Sequence, residues 1–340
     1  MLAPVLPEIG ERTGTGPGVA GALVASFAVG QLVGFPLAGL LAHRRSSAAL
    51  LGVSLALLLV GDAMFVLGEG LDVWFPARVV QGLGAAGLWI GVTLAVLERW
   101  PESSYQRLTG ILAAYSVGAI CGPAIGAIEG VRGPFLAHAL LTIVTFAPLL
   151  VLGSAGTRAE LGTDRSVLRT RAFGVSAAGI VLLALAAGTI DGPIPLHLAE
   201  RLGQTEIAAM YILTSVFVAV GSLAAGRVRP RLALAAGAAM VPVGIGLVGL
   251  ASAVGPWAGG LGLAGAGFGL GEAGAIGILL AGVARERIVT AWVVWSQLWA
   301  VGYLVGPAVA GIVAEAWGYS VLGVVPLAGS LAVAWALQRK

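Results

Sequence analysis

The chain is poor in charge. Only 10% of its 340 residues are Asp, Glu, Lys or Arg, whereas a soluble globular domain carries about a quarter. So few charges cannot keep a water-facing surface wet, which excludes a soluble protein. Cysteine is almost absent: Cys121 alone rules out a disulfide framework within the chain and reads as a small packing residue. Histidine is scarce too. No His, Cys and carboxylate group has metal-ligand spacing, and no Ser-His-Asp arrangement can be drawn, so neither a metal centre nor an enzyme is expected and no cofactor is implied. Lysine is represented by Lys340 alone among 19 basic residues. The net charge of +3 and pI near 9.4 do not point to nucleic acid, because the arginines fall in alternate loops.

Apolar sequence fills the space that charge leaves. The chain is 58% hydrophobic with a mean hydropathy of +0.98. Its apolar stretches of about 20 residues match the hydrocarbon thickness of a bilayer. The pattern predicts an all-α membrane protein with eleven complete spans, at 18–42, 48–68, 73–97, 104–128, 133–153, 172–198, 206–226, 232–252, 256–282, 288–314 and 318–337. The opening MLAPVLPEIGERTG reads as the tail of a further span. It lacks the charged start and longer apolar stretch of a signal peptide.

Fifteen basic residues lie in loops on one side: Arg44, Arg45, Arg99, Arg107, Arg158, Arg165, Arg169, Arg171, Arg227, Arg229, Arg231, Arg285, Arg287, Arg339 and Lys340. Three, Arg12, Arg132 and Arg201, lie on the other. Such a bias predicts that the first side is cytoplasmic, with the carboxy terminus there. The segment GSAGTRAELGTDRSVLRTR (153–171) carries charges of both signs and reads as a cytoplasmic linker. It divides an amino-terminal bundle, 1–153, from a carboxy-terminal bundle, 172–340. The Arg-, Ala- and Gly-rich composition is that of a GC-rich bacterial genome, so the expected home is a bacterial inner membrane.

The two halves echo each other. VGAICGPAIG (117–126) returns as VGYLVGPAVAG (301–311), with Gly118, Gly122 and Pro123 matched by Gly302, Gly306 and Pro307. Likewise GFPLAGLLAHR (34–44) returns as GSLAAGRVRPR (221–231), aligning Gly39 with Gly226 and Arg44 with Arg231. Parallel repeats of this kind build one class of secondary transporter. Proline removes a backbone donor and glycine admits a close neighbour. Gly118, Gly122 and Gly126 recur at intervals of four, forming one smooth helix face. These features predict bendable, tightly packed helices where the bundles meet.

Three motifs resemble those of the major facilitator superfamily, in particular its drug:proton antiporter branch. RVVQGLGAAG (78–87) is similar to the family's span-4 motif, with Arg78, Gln81, Gly82 and Gly84 in place. GAICGPAIG (118–126) is similar to the span-5 motif of antiporters. GLLAHRRSSA (39–48) keeps Gly39 and Arg44 of the loop motif between spans 2 and 3, but places His43 where the family has Asp. The resemblance implies twelve spans in two bundles, with 18–42 as span 2 and 318–337 as span 12. It also implies that spans 1, 4, 7 and 10 lie nearest the substrate, and that a small molecule is exported in exchange for protons.

Ionisable residues inside spans are the sharpest signal. Each costs roughly 2.5–3.5 kcal/mol at a span centre on insertion scales and usually serves a pathway. Arg78 and Asp62 lie at similar depth near the outer ends of spans 4 and 3, placed for a pair across that hairpin. Asp191 adjoins Gly192-Pro193 in span 7, and Glu272 lies near the middle of span 10. Gln81, one turn from Arg78, is placed to bind substrate or hold the arginine. Trp295 and Trp299, with Trp292 and Tyr303, form a helical stripe on span 11 that lines either a cavity or lipid. His138 and His197 read as interfacial residues rather than proton relays. Two G-x-G-x-x-G stretches, 82–87 and 260–265, lie within apolar spans and read as packing glycines rather than a nucleotide site.

The expected partners are the bilayer, a small-molecule substrate and protons, with the protein a monomer and nucleic acid excluded. A sugar or metabolite exporter, or a non-transporting relative acting as a sensor or partner subunit, stands as the alternative.

Overall fold

The structure, a computed structural model, describes residues 2–42, 46–100, 117–152, 165–284 and 287–338. Within a bilayer a backbone must satisfy its own polar groups, which leaves helices as the economical choice for such a chain. No strand occurs among the described residues. The helices are α1 (Leu6–Thr13), α2 (Pro17–Ala42), α3 (Ser47–Leu67), α4 (Leu71–Arg99), α5 (Val117–Gly126), α6 (Arg132–Leu152), α7 (Arg171–Asp191), α8 (Ile194–Ala199), α9 (Gln204–Ala225), α10 (Pro230–Leu250), α11 (Val254–Gly282), α12 (Ile288–Trp317) and α13 (Val324–Gln338). Helices α2 to α6 occupy spans 2 to 6, α7 with α8 fills span 7, and α9 to α13 fill spans 8 to 12.

Among the described residues nine helices are long and apolar enough to cross a membrane, and the shorter apolar helices α5 and α6 stand in the places of the other two expected spans. Their outer surfaces carry exposed Val33, Leu37, Leu140, Val144, Val220 and Leu223. An apolar belt of this kind is stable only against lipid.

Local chemistry explains the boundaries. The Ser46 hydroxyl accepts from the Ala49 amide to start α3, and Thr170 does the same for the Phe173 amide at the start of α7. Gly14 ends α1 at φ 66°, in the left-handed region that glycine enters without strain. Span 7 breaks after Asp191, beside the Gly192-Pro193 pair. Pro193 has no amide to donate, and the Tyr211 hydroxyl of α9 donates to the Ile190 carbonyl freed by the break.

In the first half α4 packs on α2 and α3, and α6 lies on α3. In the second, α11 lies between α9 and α10 and touches α7, while α13 covers α7 and α10. The glycines of both G-x-G-x-x-G stretches sit inside helices against neighbouring helices: a Cβ at Gly82 would fall 1.9 Å from the Phe27 carbonyl, and one at Gly265 2.5 Å from that of Thr214. The halves meet along two helix pairs, α2 with α12 and α5 with α9.

Pro307 lies within α12, which runs through it unbroken. It is accommodated by glycines on both neighbours. A Cβ at Gly188 of α7 would fall 2.2 Å from its ring, and one at Gly21 of α2 would fall 2.1 Å from its carbonyl. At this Gly-Pro pair the helix runs on, and its close contacts are with α7 and α2.

Candidate functional site

Arg78 projects from α4 with its guanidinium carbon 4.4 Å above the Phe27 ring of α2. It is buried, and its Nη1 donates to Gln81 Oε1 at 2.8 Å. The other end of that amide, Gln81 Nε2, donates to Asp62 Oδ1 of α3 at 2.7 Å. The direct Arg78–Asp62 pair expected across the hairpin is therefore replaced by an indirect one, with Gln81 as the link. Asp62 is fully buried, and its second oxygen, Oδ2, lies 2.7 Å from His138 Nδ1 on α6. His138, expected as an interfacial residue, instead completes a four-residue chain through three helices.

Facing this chain from the second half is Asp191, at the broken end of α7. The Tyr303 hydroxyl of α12 donates to Asp191 Oδ2 at 2.7 Å. Phe27 meets Tyr303 edge to face across the seam, with ring centroids 6.4 Å apart. No direct ion pair joins Arg78 to Asp191. The Arg78 charge nonetheless interacts with Asp191, Tyr303 and Asp62, as expected where water is thin and screening weak.

Trp299 stacks on Tyr303 at 6.0 Å and receives Phe268 of α11 edge-on at 6.0 Å. One turn along α11 from Phe268 stands Glu272, partly buried and without a side-chain hydrogen bond or ion pair among the described residues. Aromatic rings and an unpartnered carboxyl thus share one region.

The stripe on α12 divides by position. Trp299 and Tyr303 belong to the seam near Asp191. Trp295 does not: its indole Nε1 donates to Ser176 Oγ of α7 at 2.9 Å, and that hydroxyl donates to the Ala275 carbonyl of α11 at 2.7 Å. Its expected place in a substrate path is corrected to a brace within the second half. Trp292 stacks on Trp295 at 5.3 Å and on Trp89 of α4 at 5.9 Å. The Trp89–Trp292 pair crosses the seam toward the arginine-rich face, where Phe35, Ile90 and Leu94 of the first half share one apolar cluster with Phe173, Ile276 and Leu279 of the second.

On the opposite face the halves are clasped by polar groups. The Gln204 side chain at the start of α9 donates to the Gly126 and Ile128 carbonyls at 2.8 Å each, and accepts from the Gly130 amide at 3.3 Å. Ser215 Oγ donates to the Ala119 carbonyl at 2.8 Å. Glu315 of α12 accepts from the Gly18 amide of α2 at 3.1 Å. In this conformer the charged seam is packed. A groove of about 370 Å³ lies elsewhere, between α10 and α13, lined by residues such as Pro242, Gly323 and Ser330.

The glycine motifs behave unequally. Pro123 and Gly126 are buried, Gly122 is partly buried and Gly118 is exposed. A Cβ at Gly118 or at Gly39 would meet nothing within 4 Å among the described residues. The uniform packing face expected of Gly118, Gly122 and Gly126 is thus corrected at Gly118. Gly306 packs tightly, its Cβ position 2.5 Å from the Leu185 carbonyl. Arg44 lies outside the described residues. The sequence gives no pointer to Phe27; the buried Gln31 Oε1 and Ser296 Oγ have no hydrogen-bond partner among the described residues, and a polar residue inside an apolar span is the signal for both.

Known sequences place the chain. It is 30% identical over 156 residues to the quinolone resistance protein NorA of Staphylococcus aureus, a match covering 45% of this chain and 40% of that protein. It is 29% identical over 152 residues to multidrug resistance protein 2 of Bacillus subtilis, covering 43% and 38%. The chain therefore aligns with about two-fifths of the length of each relative. The sequence profile of the Major Facilitator Superfamily matches residues 1–174 of the 340. By that match over half its length the chain belongs to the Major Facilitator Superfamily.

Proposed function

We propose that the protein is a secondary transporter that exports an amphiphilic, drug-like molecule in exchange for protons. One observation carries this reading. Opposite charges from the two halves, Arg78 and Asp191, face a seam packed with aromatic rings, and Glu272 stands nearby without a side-chain partner among the described residues. Charged groups are costly at such depth, and a purely structural role would leave Glu272 with a partner. The names of the relatives, resistance to quinolones and to multiple drugs, support an amphiphilic cargo.

On this reading residues 1–153 and 172–340 are two bundles that rock about the seam, joined by the linker 154–171. The arginine-rich face is cytoplasmic. The Trp89–Trp292 cluster closes that side, and the Gln204 and Glu315 clasps close the other. Alternating access requires one set to part while the other holds. Arg78 sets a positive potential at the seam. Asp191, held by Tyr303, and Glu272 exchange protons with the membrane's two sides. A proton bound at either acid removes the negative charge that would hold a cationic group of the cargo, so cargo and proton exclude each other. Trp299, Tyr303 and Phe27 offer flat apolar surface to the rest of the molecule.

The test is norfloxacin-driven proton movement in proteoliposomes of the purified protein. Wild-type vesicles are expected to move protons against norfloxacin. Glu272→Gln is expected to lose the counterflow. Unchanged coupling in that variant removes Glu272 from the mechanism, and no norfloxacin movement in wild-type vesicles overturns export of this drug.

A further inference from the structure

We propose that Asp62 and His138 form a second proton-binding site, inside the first half, whose charge is passed through Gln81 to Arg78. The inference rests on the proton-coupled reading above but concerns residues outside the seam itself.

The geometry is directional. Arg78 can only donate and a carboxylate can only accept, so the Gln81 amide, donating to Asp62 and accepting from Arg78, has one orientation in the chain. With His138 neutral, its Nδ1–H donates to Asp62 Oδ2 and the dyad carries one negative charge, which balances Arg78. A proton from water binds the lone pair on His138 Nε2, and the dyad becomes neutral. Arg78 keeps its own protons throughout.

Access exists on one side only. The His138 side chain is 33% exposed while Asp62 is fully buried, so a proton reaches the carboxylate by way of the imidazole. His138 stands six residues into α6, about 9 Å along the axis from its outer end, a depth that water or a snorkelling contact can reach. His138 Nε2 has no partner among the described residues.

The surroundings leave Arg78 as the reader of this charge. Helix α2 brings no charged residue to the dyad. From α4 come Arg78 and, at the exposed outer end, Asp72. Arg132 of α6 is paired with Glu69 at the surface, and Arg12 of α1 with Glu8. Arg78 therefore interacts with two carboxylates, Asp62 on its own half and Asp191 across the seam. Neutralising the dyad leaves Arg78 balanced by Asp191 alone, which draws the halves together. A proton bound in the first half thus favours the closed seam.

Two readouts separate this inference from transport itself. In nitrogen-15 histidine NMR of the protein in nanodiscs, the resonance lost in His138→Gln is expected to change with pH as the dyad takes up its proton. That pH dependence should differ in Asp62→Asn, which removes the carboxylate facing the imidazole. In proteoliposomes the pH profile of norfloxacin export should flatten at least threefold in Asp62→Asn, in His138→Gln and in Gln81→Leu, where Gln81→Leu leaves the NMR titration in place. A His138 signal that does not titrate, or variant pH profiles that superimpose on the wild type, overturns the dyad. Absent norfloxacin export in the wild type overturns the transport reading instead, and the NMR titration then decides the dyad alone.

Discussion

The carbonyl of Pro307 in α12 lies so close to Gly21 of α2 that a Cβ at residue 21 would sit 2.1 Å from it. This contact joins the two halves at a point where neither partner can yield, because both are backbone. Gly21→Ala is therefore expected to destabilise the protein by about 1–3 kcal/mol, the usual cost of overpacking. Gly39→Ala, with open space around it, is expected to change stability by less than about 0.5 kcal/mol. Thermal unfolding in detergent measures both. Equal effects would show that the packed seam does not determine which glycines matter.

Tyr303 holds Asp191 by one hydrogen bond across α7 and α12. A hydrogen bond to a charged group is worth about 1.5–3 kcal/mol, and Tyr303→Phe removes the one that Asp191 accepts from this hydroxyl. The ring stacked on Trp299 is retained in this variant. Export rate at fixed pH is expected to fall about tenfold while the unfolding temperature stays within a few degrees. A variant with wild-type rate across the pH range would remove the Tyr303–Asp191 bond from the mechanism.

The Trp89–Trp292 stack spans the halves toward the arginine-rich face. Trp89→Ala removes one ring of the stack and part of the apolar cluster around it. In a Cys121→Ser background, a cysteine placed at the buried Ser296 reports access. Its reaction with a water-soluble maleimide is expected to quicken about tenfold or more in Trp89→Ala. An unchanged rate would mean that other contacts close this face.

The helical membrane architecture was legible in the sequence because apolar length is set by the bilayer and little else competes with it. The ends of α2 and α10 fall within two residues of expectation for this reason. The site was legible by residue type and only partly by partner. Arg78, Asp62 and Asp191 stood out as charges in oil, and periodicity put Gln81 beside Arg78. That Gln81 also reaches Asp62 depends on how α3 and α4 pack, which sequence spacing does not contain. His138 was misread because a histidine two turns from a helix end has an ordinary interfacial role open to it. Only the approach of α6 to α3 places it on Asp62. Trp295 and Trp299 share a stripe but differ in partner, since α7 offers Ser176 to Trp295, while Trp299 lies between Phe268 of α11 and Tyr303, the residue that bonds Asp191.

Two clasps close the face opposite the arginines, and they lie on different helix pairs. Gln204 holds the end of α5 to α9, and Glu315 holds the start of α2 to α12. If the halves move as rigid bodies, opening this face breaks both clasps at once. The energies then add, because neither bond survives the motion that breaks the other. A hydrogen bond contributes about 1 kcal/mol and one to a charged group about 1.5–3 kcal/mol, so Glu315→Ala should raise the open population roughly tenfold, Gln204→Ala, which removes three bonds, about a hundredfold, and the double variant by about the product. Distances between spin labels on the outer ends of α3 and α10 measure that population. A double variant no more open than the better single one would mean that one helix pair can part while the other stays closed, so the halves would not be rigid units.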